Sequence, residues 1–496
     1  MSTGVHAACA PAGYTPGSAV VVARGRAHLG GIVKRLPHLA LTVALLVVVA
    51  AGVAAALPAT ATAFRLPLWT NLYGPTAEID RWSDIARGPG HTVFVAGTIG
   101  LSQGAGSQMT LAKFSSTGTL VWETPTIPGV KTWHGFGASA RGSSLAVDRH
   151  GDAIVAGYSS WSSGGFAVVK FSGVNGQVLW WQDLQLAGYA SATDVAVDRD
   201  GNAYVTGTAV GDAAVGTVVY TVKLAAASGA TRWQNLYSGP LLLSEGEALA
   251  IDANRNTYVI GRTVTTGTTV DWVTRKISPA GKSLWTRRWD GASHQSDLPF
   301  KVITTPKGGA IYVAGMSQTG VTGRYDAVLM RYSATGRRMW LRRFAKFETD
   351  SMPTGLCFDS HGALLLCGGR RPLDPTKPVA SLLAKVATTG TTAWLRSSVS
   401  PFNADGDCFY ADIVRGSSGS MYVSGSVEPS NTDSSILVEK RRADGSLAWQ
   451  AVNGSPDPGD DDAGRLILDG TTGLYVTGSF ETTTGFIDAV LQGYKP

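Results

Sequence analysis

Apolar residues along this chain come in short bursts, without the spacing of an amphipathic helix. From Asp194 to Trp233 the chain reads DVAVDRDGNAYVTG and, after a variable loop, VVYTVKLAAASGATRW. The same phrase recurs about eight times between Leu66 and Pro496. Its YVTG-like stretch closes on a marker glycine, at Gly97, Gly157, Gly207, Gly261, Gly315, Gly368, Gly425 and Gly478. The intervals are 60, 50, 54, 54, 53, 57 and 53 residues. Repeats of that length belong to propeller and solenoid arrays. Each marker is expected to end a short strand, after apolar pairs such as Phe94 and Val95 or Tyr475 and Val476. A turn written VDRHG, VDRDG or FDSHG joins it to the strand before. Asp bonds neighbouring backbone N–H groups there, and Gly takes positive φ without strain.

A third strand ends in a basic residue at Lys113, Lys170, Lys223, Lys276, Arg331, Lys385 and Lys440. Gly-x-x-x-Trp follows each time, from Gly118 to Trp122 through to Gly445 to Trp449. The Gly makes a hairpin, and the Trp opens a fourth strand with a large apolar surface. Four short antiparallel strands per unit predict propeller blades. The last unit stops after its third strand. Leu68-Trp69-Thr-Asn-Leu-Tyr-Gly74 matches Arg232-Trp233-Gln-Asn-Leu-Tyr-Ser238. The expected fold is therefore all-β, a single eight-bladed β-propeller over 64–496. Its N-terminal strand completes the last blade, which closes the ring and removes two open sheet edges.

Residues 1–63 carry Arg24, Arg26, Lys34 and Arg35 and no acidic residue. Leu39–Leu57 is apolar except for Thr42, and Ala61 and Ala63 stand at an A-x-A spacing. That layout is expected to be a signal peptide cut after Ala63, with an uncleaved membrane anchor as the alternative. Either way the propeller is expected outside the cytoplasm, secreted or at the cell surface. The formal charge of +6 shrinks without the leader, because 38 basic residues then face 36 acidic ones. The sequence pI near 9.0 is accordingly no sign of nucleic-acid binding. Membrane contact is expected only through an uncleaved N-terminal segment, and the chain is expected to be a monomer. Cys357, Cys367 and Cys408 remain, an odd number without a CxxC pair. Buried free thiols are the expected state, although Cys357 and Cys367 lie on facing strands and a bridge stays open.

Little catalytic grammar is present, and no catalytic residue is assigned. Gly100-Leu-Ser102-Gln-Gly104 has the form G-x-S-x-G, but it sits in a loop and lacks the strand-turn-helix setting that motif needs. Asp198-x-Asp200-Gly-Asn202 lacks the Gly and Glu of a calcium loop and reads as a hairpin turn. Two loop features are candidates for binding. Trp82, Trp133 with His134, and Trp161 fall in adjacent blades on one loop face, where tryptophans could stack on sugar rings or seat a partner side chain. The competing reading tucks each ring over its own loop. Asp297, Asp350, Asp407 and Asp460 each lie 18 residues before their marker glycine. They form an acidic rim able to hold a cation, or else each caps its own loop.

The composite Lys-h-x-x-x-Gly-x-x-x-Trp … Asp-x-x-Gly-x-h-Tyr-Val-Thr-Gly resembles bacterial extracytoplasmic β-propeller repeat proteins of the SBBP type. It is more distantly similar to the PQQ-like propellers of quinoprotein alcohol dehydrogenases. The resemblance covers about 66–496 and implies architecture more than activity. The quinoprotein likeness would imply a quinone stacked on Trp, a calcium ion and an adjacent Cys-Cys disulfide, and the sequence has no Cys-Cys pair. No cofactor is predicted, with PQQ and calcium left open. The leading expectation is a non-catalytic binding propeller for polysaccharide or an extracellular protein. The alternative is a propeller enzyme using the central channel, either a PQQ-like oxidoreductase or a glycan-active lyase or hydrolase.

Overall fold

The computed structural model describes residues 63–496 apart from loop segments 75–79, 102–105, 125–129, 132–143, 160–164, 185–187, 213–215, 267–268, 321–323, 345–348, 403–404, 430–432, 456–458 and 483–485. The fold is all-β, with eight antiparallel sheets that are the eight blades of a propeller. Each blade runs from an innermost strand, such as Ala190–Val197 in blade three, through Ala203–Val210 and Thr217–Leu224 to an outermost strand, Thr231–Tyr237.

The Gly-x-x-x-Trp element joins one blade to the next. Trp233 packs against Tyr204 of its own blade, with centroids 5.9 Å apart. Its Nε1 donates to the Pro279 carbonyl of blade four at 3.0 Å. Gly281 holds φ +80 under the same indole, where a Cβ would strike the ring. The pattern repeats at Trp285 on Gly336, Trp340 on Gly390 and Trp394 on Gly445. The glycine is thus required twice over, by its φ and by the ring above it.

The ring closes as the sequence implies. Trp69–Tyr73 pairs antiparallel with Ile487–Tyr494 and supplies the fourth strand of blade eight. Trp69 then docks on Gly118 of blade one like any other blade tryptophan, its Nε1 donating to Ser116 O at 3.3 Å. A further short strand, Ala63–Phe64, lies parallel to Trp449 and Gln450 on the outer edge of blade seven. Arg65 follows it, stacking on Trp449 at 4.7 Å and donating to Lys495 O at 2.7 Å.

The marker glycine does not end its strand. Val93–Leu101 continues past Gly97, and Ala310–Gln318 past Gly315. In seven blades the inner strand slips register beside that glycine, for instance between Trp82 and Asp84 or Tyr410 and Asp412. The bulge presses a backbone carbonyl into the space where a Cβ would stand, Arg81 O at Gly97 and Ser191 O at Gly207. Glycine therefore marks a bulge in mid-strand and not a strand end.

Candidate functional site

Beside these bulges stand Asp84, Asp194, Lys301, Asp412 and Arg465, 13 residues before the marker in most blades, and Ser144 holds the corresponding place in blade two. These link neighbouring inner strands. Asp84 Oδ2 accepts the Leu145 N–H at 2.8 Å, and Asp194 Oδ2 accepts that of Leu249 at 2.9 Å. Burial raises the Asp194 carboxyl above its ordinary range, against the pull of the Leu249 N–H and Lys301. At Arg465 burial works to strip the charge, but Asp412, Asp84 and Asp194 outweigh it and raise the pKa. Each described carboxylate here closes an inter-blade contact, so this ring is structural. The signal for it was legible, as an Asp standing before an apolar residue in SDIA, TDVA and ADIV.

A different group of carboxylates crowds together on the loop face between blades four and five. Asp271 opens the third strand of blade four, Asp271–Ile277. Asp290 directly follows that blade's outermost strand, Ser283–Trp289. Asp297 opens the inner strand of blade five, Asp297–Thr304. One oxygen from each lies within 4.8 Å of the others. Asp297 is 0% exposed, with Oδ2 accepting the Gly291 N–H at 2.6 Å. Its own N–H donates to Val270 O at 2.7 Å, which ties the two blades together at this point. Asp271 Oδ2 accepts the Thr265 hydroxyl at 2.6 Å. Asp290 Oδ2 holds His294 Nδ1 at 2.5 Å, on a side chain 28% exposed to solvent. That hydrogen bond and the charge of Asp290 raise the His294 pKa. Asp290 Oδ1 and Asp297 Oδ1 are buried without a hydrogen-bond donor. Burial is the main force that pushes the Asp297 carboxyl up to about 6, against the Ser317 hydroxyl and the Gly291 N–H, and the charges of Asp290 and Asp271 add to it. Trp272 and Trp289 sit beside these carboxylates in sequence and meet edge to face, with centroids 4.9 Å apart.

The four aspartates read as a rim are not gathered into one site. Pairing shows that Asp297 faces Ser317, whereas its register equivalents in the later blades are Ser351, Cys408 and Asp461. The first hairpin of blade five is one residue longer, so an equal spacing of 18 hides a slip of one. Asp350 and Asp407 lie one residue earlier, each accepting a backbone N–H from the blade before. Asp350 Oδ1 takes that of Tyr325 and Asp407 Oδ1 that of Val379, both at 2.6 Å. Asp460 is exposed, its pKa raised by partial burial and by Asp462 and Glu481.

Trp82 is 6% exposed in the inner strand of blade one, its ring 5.0 Å from Tyr73, so it offers no open face for stacking. Trp133, His134 and Trp161 lie outside the described residues, as does Ser102. Asp198 makes the expected turn, accepting the N–H groups of Asp200 at 2.9 Å and Asn202 at 3.0 Å. Cys357, Cys367 and Cys408 are free thiols. Burial pushes Cys357 and Cys408 up to about 12, so neither is a ready nucleophile. Three separate free cysteines do not fit the adjacent disulfide that a quinoprotein site implies.

The SBBP beta-propeller repeat matches residues 185–212, which take in the first hairpin of blade three. Comparison with curated proteins returns no match. Among solved structures, a europium-containing methanol dehydrogenase is 10% identical over 88% of this chain and 96% of its own, with a TM-score of 0.50. The quinohemoprotein alcohol dehydrogenase of Comamonas testosteroni is 13% identical over 87% and 78%, with a TM-score of 0.48. A polysaccharide lyase is 12% identical over 74% and 93%, at 0.47. The methanol dehydrogenase likeness agrees with the ring fold, and a propeller fold by itself implies no activity.

Proposed function

We propose that this propeller works through a hard cation held at its loop face by Asp271, Asp290 and Asp297, and that the cation brings an oxygen-rich ligand, a glycan, to that face. One observation carries the reading. Asp290 Oδ1 and Asp297 Oδ1 are buried without a donor although three carboxylates converge within 4.8 Å. Like charges so placed call for a proton or a counter-charge, and an all-oxygen donor set suits a calcium-like ion. Such ions take about six to eight oxygens, so three carboxylates leave positions for water or ligand hydroxyls. His294, exposed and bonded to Asp290, stands where a ligand would approach.

Turnover is put ahead of recognition alone, because a cation polarises an oxygen that it binds. That a europium-containing dehydrogenase shares the ring fold supports this reading without supplying a reaction. The second reading is a binding propeller at the cell exterior. In its favour, the repeated positions are committed to blade docking, as at Trp233, Trp285 and Trp340, which leaves the loops to vary.

Incubation with neutral and acidic glycans, with Ca2+ or with EDTA, separates the two while new chain ends are followed. Turnover is expected with the cation and is lost in Asp290→Asn. Retention without product would establish recognition. Neither retention nor product in any arm would overturn both.

A further inference from the structure

The outermost strand of each blade carries the docking tryptophan, and two residues later a side chain returns to the same face. In blades eight and three that residue is Asn71 or Asn235. Each donates Nδ2 to the carbonyl of the glycine next door, Gly118 at 2.9 Å and Gly281 at 2.8 Å. In three consecutive blades, four to six, it is arginine: Arg287, Arg342 and Arg396. Arg287 Nε makes the same bond, to Gly336 O at 2.8 Å, Arg342 makes it to Gly390 O, and Arg396 reaches Asp444 O at 3.2 Å. A neutral amide performs this structural task elsewhere in the ring. The three arginines also donate to nearby carbonyls, Thr286 O, Thr335 O, Leu341 O and Leu395 O, and Arg287 and Arg396 lie over Trp285 and Trp394, yet among the described residues no carboxylate neutralises any of the three.

The surrounding residues share that charge. Stretches 281–289, 336–344 and 390–396 hold eight basic residues and no acidic one, whereas the matching stretches of the other blades, 65–73, 118–124, 176–184, 229–237 and 445–453, hold at most one basic residue each. Against 38 basic and 36 acidic residues from position 64 onward, this is strong segregation, which the near-neutral total conceals. Arg288, Arg337 and Arg338 are exposed. Among the described residues, only Arg343 of the eight has a carboxylate partner, Asp326 at 3.6 Å. Exposed Leu284 and Met339 stand between the charges, 53% and 42% open.

We propose that the outer wall of blades four to six binds a flexible linear acidic polysaccharide. Guanidinium groups match carboxylates in fork geometry, and the apolar side chains between them offer surface to the sugar rings. Equivalent arginines on three successive blades repeat the charge along an arc. Each blade of an eight-bladed ring turns about 45° from the last, so the wall is convex. A flat anionic bilayer meets such a curve at one blade only, and duplex DNA, with a persistence length of about 50 nm, follows it only at the cost of bending. A flexible polyanion follows it without that cost. This surface is separate from the carboxylate pocket and holds whether or not that pocket binds a cation.

The test measures binding of polygalacturonate to the full-length protein by calorimetry, beside dextran, duplex DNA and anionic vesicles. Two triple variants are compared. Arg287→Asn/Arg342→Asn/Arg396→Asn installs the amide used in blades three and eight. Arg288→Gln/Arg337→Gln/Arg338→Gln changes only side chains that make no hydrogen bond among the described residues, so it reports even if the first variant fails to fold. Each is expected to weaken polygalacturonate binding about tenfold or more, and wild-type binding should fall between about 50 and 200 mM salt. Unchanged affinity in the second triple, no polygalacturonate binding by wild type, or tighter binding of DNA or vesicles would overturn the proposal.

Discussion

Asp297 accepts the Gly291 N–H and stands beside the Ser317 hydroxyl, which also favours its charged form, while its Oδ1 has no well-aligned donor beside two other carboxylates. Its pKa of about 6 lies above the ordinary carboxyl value, so the folded chain holds that proton more tightly than the unfolded chain. In metal-free buffer the contribution of Asp297 to stability is full below about pH 4 and is lost as the pH rises through about 6. Asp297→Asn keeps the acceptor for Gly291 and turns Oδ1 into a donor aimed at its acidic neighbours. The variant is expected to melt higher than wild type at pH 7.5 without metal and to show a flatter melting profile from pH 4 to 7. A steeper profile would contradict the assignment. Trp285 tests the docking in the same way. It packs on Gly336 and donates to Ala334 O at 3.0 Å, so Trp285→Ala is expected to cost about 3 kcal/mol or more in chemical denaturation. Gly336→Ala puts a methyl group into that indole at φ +80 and is expected to destabilise the same junction.

Among the elements, the split blade has the clearest consequence. Removing Trp69–Tyr73 opens the outer edge of blade eight and also withdraws Trp69 from Gly118 of blade one. Lower melting is expected, with the largest rise in amide exchange in Ile487–Tyr494. Unchanged melting would contradict closure by this strand. This closure was legible in the sequence because LWTNLY and RWQNLY share their docking residues, and the hydrogen bonds of Asn71 and Asn235 show why both are kept. The bulges were not legible, since the carbonyl that excludes a side chain at Gly97 belongs to a strand whose register no spacing reveals. The same blindness hid, behind a constant spacing of 18, that Asp297 stands one residue out of step with Asp350. The carboxylate pocket escaped for a related reason. Asp271, Asp290 and Asp297 come from two blades and form no motif, and contacts that no spacing reveals, the bond from the Asp297 N–H to Val270 O and that between the Thr269 and Ser296 hydroxyls, bring their strands together.

Across the whole molecule, one ring carries two unlike charge clusters, a carboxylate cluster between loops and a basic wall on the outer strands of blades four to six. Both lie on or next to blade four, and neither shows in the net charge. The carboxylate cluster is the part on which the functional reading depends, and its neighbours provide a direct probe. Trp272 and Trp289 adjoin Asp271 and Asp290 and meet at 4.9 Å, so a lanthanide ion bound there should accept energy from excited tryptophan. The deciding measurement is a Tb3+ titration of the protein, with tryptophan excitation and terbium emission as the readout. Saturable emission at one ion per chain is expected, displaced by Ca2+ and lost in Asp290→Asn and Asp297→Asn. Emission absent from the wild type, or equal in the two variants, would contradict a cation centre at this site.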